Sequence, residues 1–126
     1  MLVELTKIKE TPILHIKLEQ FYDVEQGKDF IQKIRETLNK SDRTNLIIGV
    51  DLTEVKVFSS EILELFEICQ KLFIDNNVKK MGTLLNSSLV EMQLRRTAKQ
   101  NYPEDIKNSV KRFQDREEWE TYLSEN

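Results

Sequence analysis

Asn45 to Phe73, NLIIGVDLTEVKVFSSEILELFEICQKLF, is the stretch whose reading decides the fold. Leu46, Ile47, Ile48 and Val50 make a short apolar run without alternation, the pattern of a strand covered on both faces, and Asp51 closes it. Val55, Val57 and Phe58 form a second small apolar group before Ser59 and Ser60 open a strongly apolar helix. Two hydroxyls and an acid therefore meet where a strand hands over to a helix. In open α/β sheets, ligands gather at the carboxyl ends of strands, so this junction is the first candidate site.

From Ser60 to about Asp75, the residues Ile62, Leu65, Phe66, Cys69, Leu72 and Phe73 recur at helical spacing, with Glu64, Glu67 and Lys71 opposite. Leu63 and Ile68 widen the stripe beyond what one sheet contact needs, so a broad buried face is expected, with a partner-binding face as the alternative. Ser59 stands where an N-cap belongs, its oxygen accepting from an early backbone N–H. A phosphate on Ser59 or Ser60 would sit at the positive end of the helix and would repel a docked partner. Cys69 is the single cysteine; it cannot form an internal disulfide and reads as a reduced packing residue.

Upstream, residues 2 to 9 and 12 to 18 read as two strands of a hairpin, interrupted at Thr11-Pro12. His15, the one histidine, alternates with Leu14 and Ile16 and is expected exposed on the other side of its strand. Asp23 and Gln26 have capping-box spacing ahead of a helix with Phe30, Ile31, Ile34 and Leu38 on its apolar face. Gly27 lacks the partner glycines of a phosphate loop. Downstream, Met81 to Leu85 reads as a strand, and Ser88 with Glu91 as the capping box of another helix with Val90, Leu94 and Ala98 inside. Its outer side carries Met92, Arg95, Arg96 and Lys99, a small cationic patch with an apolar centre that suits solvent or an acidic partner. Asn101-Tyr102-Pro103 breaks that helix. Val110 to Phe113 is a last short strand, and Asp115 with Glu118 begins a terminal helix bearing Trp119, Tyr122 and Leu123. The order is ββαβαβαβα: one α/β domain over 1–126, with a mixed sheet of about five strands and about four helices.

Composition bounds the function. With 126 residues, 39% hydrophobic and 33% charged, the chain is expected to form one soluble, cytoplasmic domain with neither a membrane span nor disorder. A net charge of -3 gives no electrostatic footprint for nucleic acid. No second histidine and no cysteine cluster supports zinc, and no cofactor motif occurs. No G-x-S-x-G elbow, histidine–nucleophile pair or marked pair of acids points to an enzyme.

The segment Asp51-Leu-Thr-Glu-Val-Lys-Val-Phe-Ser-Ser-Glu resembles the signature region of STAS domains, the family of bacterial anti-sigma-factor antagonists, in which a strand ending in a D-L-S-x-V-like run leads to D-S-S-G at a helix start. The hairpin, the strand–helix alternation and the closing FQDREEWETYL are similar to that family and its SpoIIAA-like relatives. An ungapped match places Ser59 at the family's aspartate, Ser60 at the first serine and Glu61 at the second, the phosphorylated one, with Ile62 for the glycine. The resemblance thus implies a diverged, non-catalytic signalling module that docks a protein partner through residues 58 to 61, with Asp51, Phe58, Ser59, Ser60 and Glu61 as its binding or regulatory set. A homodimer is among the expected arrangements. The alternative is a carrier or sensor of a small apolar or lipid-like ligand, because SpoIIAA-like domains are similar in fold to CRAL-TRIO domains and the wide helix beside Met92 and Arg95 could line a cleft. A phosphoacceptor receiver built on Asp51 is a third reading. It lacks the acidic pair that would hold magnesium after the first hairpin, where Leu18-Glu19-Gln20 offers one acid.

Overall fold

The run Leu46 to Asp51 is a strand buried along its whole length, and it lies in the middle of one five-stranded sheet. The computed structural model describes the backbone of residues 2–8, 11–19, 23–40, 46–76, 78–101 and 110–125, and side chains within 13–19, 23–39, 46–76, 78–97 and 110–125. In chain order the elements are β1 (Leu2–Ile8), β2 (Thr11–Lys17), α1 (Val24–Lys40), β3 (Leu46–Asp51), α2 (Ser60–Asp75), β4 (Val78–Leu84), α3 (Ser88–Asn101), β5 (Val110–Phe113) and α4 (Arg116–Ser124). The chain folds as α/β, with β2 to β5 parallel and β1 antiparallel on β2. Strand β4 starts earlier than its apolar residues announce, because Val78 already pairs with Leu46.

The spatial order of the strands is their order in the chain, β1-β2-β3-β4-β5. Each βαβ crossover therefore steps one place in the same direction, and the right-handed rule puts all three crossover helices on one face. The main core records this: Leu46, Ile48 and Val50 of β3 cluster with Phe30 and Ile34 of α1, Phe66 and Phe73 of α2, and Val90 and Leu94 of α3. Alternate residues of β3 point the other way, where Ile47 joins Ile13, Leu84, Trp119 and Leu123 in a second cluster under α4.

Helix α4 lies on a floor of glycine. Gly49 and Gly82 pair across β3 and β4, and a methyl group on Gly49 would come 2.7 Å from Leu123 Cδ1 and 3.3 Å from the Trp119 ring. The missing side chains let the indole sink to the sheet, where Trp119 Nε1 donates to the Gly82 carbonyl at 2.8 Å. His15 faces this same side and is half-buried, its ring centroid 5.8 Å from that of Trp119. The expectation of an exposed histidine fails because α4 covers the face that the alternation assigns to solvent.

Local capping fixes where helices begin. Asp23 and Gln26 form the reciprocal box of α1, with Gln26 N donating to Asp23 Oδ1 at 2.8 Å and Asp23 N to Gln26 Oε1 at 3.3 Å. Asp115 caps α4 by accepting from Glu118 N at 3.0 Å. For α3 the cap is Ser87, which accepts from Val90 N at 3.3 Å, and not Ser88, the first helical residue. Ser88 alone has an acid three residues on, but it already lies inside the helix, so the cap falls to Ser87. Ala98 and Lys99 side chains and residues 102 to 109 lie outside the described set. Among the described residues no helix is long and apolar enough to cross a membrane.

Candidate functional site

Beyond β3 the chain turns twice before α2, and each turn has an identifiable cause. The Asp51 carboxylate accepts from Thr53 N at 3.0 Å and from Thr53 Oγ1 at 2.7 Å, an Asx-type turn. Val55 N donates to Leu52 O at 3.0 Å, closing the next turn, while Leu52 and Val55 bury their side chains in the main core. Phe58 is also buried, its ring 5.5 Å from that of Phe66. The loop is therefore anchored from below by three apolar residues.

From the side it is held by α3. Gln93 uses both ends of its carboxamide on one residue: Oε1 accepts from Phe58 N at 3.0 Å and Nε2 donates to Phe58 O at 2.9 Å. One helical turn and a half earlier, Ser87 Oγ donates to Lys56 O at 2.7 Å. A loop fixed at two backbone points delivers the next residues in one orientation. Ser59 is the N-cap of α2, accepting from Ile62 N at 3.3 Å, and Glu61 sits in the first turn, where the helix macrodipole favours an acid. Ser59, Ser60 and Glu61 are all exposed.

The structure divides the predicted set. Ser59, Ser60 and Glu61 form one solvent-facing group; Phe58 belongs to the core and acts as their mount. Asp51, 2% exposed, is turned toward the α4 face, where its Oδ2 lies 3.2 Å from Arg116 Nη2. Burial pushes the Asp51 carboxyl up, but the two hydrogen bonds from Thr53 and the Arg116 guanidinium outweigh it and leave the pKa below its ordinary value. Asp51 is thus an ionised structural fastener, and its guanidinium partner lies over the Trp119 ring at 5.7 Å.

Sequence reasoning missed two parts of the site. One is Gln93, a polar residue on the rim of α3 that nothing local distinguishes from a solvated one. The other is a pair of exposed apolar residues on the two segments the clamp joins, Val57 next to Phe58 in the loop and Leu89 on α3, 41% and 49% exposed, which add to Met92 of the predicted patch, 59% exposed. The cationic patch assigned to Met92, Arg95, Arg96 and Lys99 is partly neutralised, because Glu91 accepts from Arg95 at 2.8 Å and lies 3.9 Å from Arg112. Met92 and Arg96 remain on the exposed side of α3.

Two observations bear on ligand chemistry. The space under α2 lined by Leu18, Gly27, Phe30, Ile62, Leu65, Phe66 and Cys69 is about 20 Å³, on the order of one water molecule. Because the strand order never reverses between β2 and β5, the crevice that a topological switch opens at strand ends has no counterpart here. Cys69 is buried in that core, and desolvation pushes its thiol up to about 12 against the opposing field of Arg35, so it is a protonated packing group at neutral pH. Among the described residues no three His, Cys, Asp or Glu side chains gather to hold a metal ion.

No protein-family model matches the chain, and neither a curated protein nor a solved structure matches it significantly.

Proposed function

We propose that this chain is a diverged STAS-like docking module, non-catalytic and cytoplasmic, of the bacterial signalling kind its signature segment resembles. It receives a protein partner on the surface formed by Ser59, Ser60 and Glu61 together with Val57, Leu89 and Met92. The observation that carries this reading is the Gln93 clamp on Phe58, which fixes the loop bearing the exposed polar group and ties it to α3, where Leu89 and Met92 are exposed. Preorganised loops lose little entropy on binding, which favours recognition by a fixed surface. The water-sized space under α2, among the described residues, supports docking over a lipid carrier.

The test compares proteins retained from source cells by immobilised wild type, Ser60→Asp, Met92→Glu and Lys71→Glu. Ser60 and Met92 are exposed, and an acid in the first turn suits the helix, so both variants keep the fold. The expected outcome is a specific partner held by wild type and by Lys71→Glu, which lies on the exposed side of α2, and lost from the other two. Equal retention by all four chains would remove the proposal.

A further inference from the structure

Strand β5 is the last strand of the sheet, and beside it runs an open groove of about 520 Å³ between β5 and α4. We infer that this edge takes up an extended, basic segment of a partner protein as an additional strand. The surface is separate from the 57–61 junction and does not depend on the function proposed for it.

The backbone supplies the first argument. Phe113 O accepts from Leu85 N at 3.0 Å, so the peptide groups of Phe113 point inward to β4. Successive residues of a strand turn these groups to opposite sides, which directs the N–H and C=O of Arg112 to the outer edge. Among the described residues no strand pairs with that side of β5. An open edge of this kind is the template for strand addition, in which main-chain bonds supply affinity and alternate side chains supply selectivity.

The lining supplies the second. Side chains of an added strand that point toward α4 would enter a groove bounded by four acids, Asp115, Glu117, Glu118 and Glu125, against two cations, Lys111 in its wall and Lys80, whose Nζ lies 4.8 Å from the Tyr122 ring. Lys111 Nζ lies over the Tyr122 ring at 5.3 Å, and Phe113 and Tyr122 stack with centroids 5.2 Å apart, so the groove has an aromatic floor and a carboxylate rim. Lysine or arginine at every second position fits both features, the aliphatic stem lying on the rings and the head reaching the acids. Arg112 does not oppose this, because it turns to the other face, 3.9 Å from Glu91. With four residues the edge is short, and weak, salt-sensitive binding follows.

The full chain, labelled with ¹⁵N, is titrated with a synthetic peptide alternating lysine and valine, and in parallel with its glutamate–valine counterpart. The expected result is that the basic peptide perturbs amides of Val110 to Phe113 and of Glu118 to Tyr122, leaving 57–61 and Leu89 to Met92 unmoved. Its affinity should exceed that of the acidic peptide by about tenfold or more and fall with added salt. Arg112→Pro removes the outward N–H at a position where an edge strand tolerates proline, and Glu118→Gln with Glu125→Gln removes charge without touching the strand. Each should weaken the basic peptide while amide dispersion shows the fold intact. Equal response to both peptides, shifts elsewhere, unaltered binding by both variants, or self-association of the chain through β5 would each overturn the inference.

Discussion

Against α1, α2 and α3 the sheet is closed by three amphipathic helices whose apolar stripes share the burial among many side chains. Against α4 it is closed by nine residues held at a few named points: the indole on the glycine floor, Arg116 on Asp51 at the helix start, and Lys80 at its end. Lys80 Nζ donates to the carbonyls of Tyr122 and Glu125, placing a cation from the sheet at a helix terminus that has no basic residue of its own in its last turn. Burial pushes the Lys80 pKa down, and Glu125 opposes this. The lesson is that distributed packing tolerates single losses, whereas a concentrated set of contacts does not.

The sharpest way to break that contrast is Trp119→Ala. It removes a side chain 1% exposed and its hydrogen bond, with an expected cost of about 3–5 kcal/mol in urea unfolding. Hydrogen exchange should show α4 amides losing protection ahead of those in α1 to α3; uniform loss would mean that both faces share one cooperative unit. A volume-reducing change on the other face, Ile34→Val, should cost only about 0.5–1.5 kcal/mol.

Filling the floor comes next. Gly49→Ala puts a methyl group against Leu123, which is itself fully buried, and overpacking of about 1–3 kcal/mol is expected from the same unfolding measurement. An unchanged midpoint would show that α4 rides loosely on the sheet.

Asp51→Ala probes the fastener at the helix start, with an expected loss of about 1–3 kcal/mol at neutral pH. Because hydrogen bonds and Arg116 hold the folded pKa of Asp51 below its unfolded value of about 3.9, its stabilisation is complete above that pH and drains away as pH falls through the folded value. The stability difference between wild type and Asp51→Ala should therefore narrow in acid. A constant difference from pH 7 to pH 3 would deny the carboxylate its ionic role.

The smallest effect is expected from Gln93→Ala, which frees Phe58 without opening either core and should cost about 1 kcal/mol. Its larger consequence should be in partner retention, since the loop bearing Ser59 to Glu61 would lose its mount. Retention as in wild type would detach the clamp from recognition.

What could be read from the sequence is what is local. The caps at Asp23, Ser59 and Asp115 are contacts over three residues, and the spacing alone displays them. The buried strand at Leu46 to Asp51 announces itself by an apolar run. The parts that escaped are contacts between distant residues: Phe58 with Gln93, Trp119 with Gly82, and the buried pair Gln70 and Thr97, whose 3.2 Å hydrogen bond joins α2 to α3. Gln70 looks like a break in an apolar stripe, and only the position of α3 explains it. The burial of Phe58 is hidden for a related reason: an apolar residue beside two serines reads as part of their surface, and only the packing against Phe66 shows it to be their anchor. An isolated glycine inside each of two strand runs, Gly49 and Gly82, is the one local mark of close approach by another element.

Gln93 recognises the peptide groups of Phe58 and ignores the side chains that follow. The letters at positions 60 and 61 can therefore be rewritten while their support, the Ser59 cap included, stays put, so that mutation can change what this surface greets without first dismantling the frame on which it is displayed.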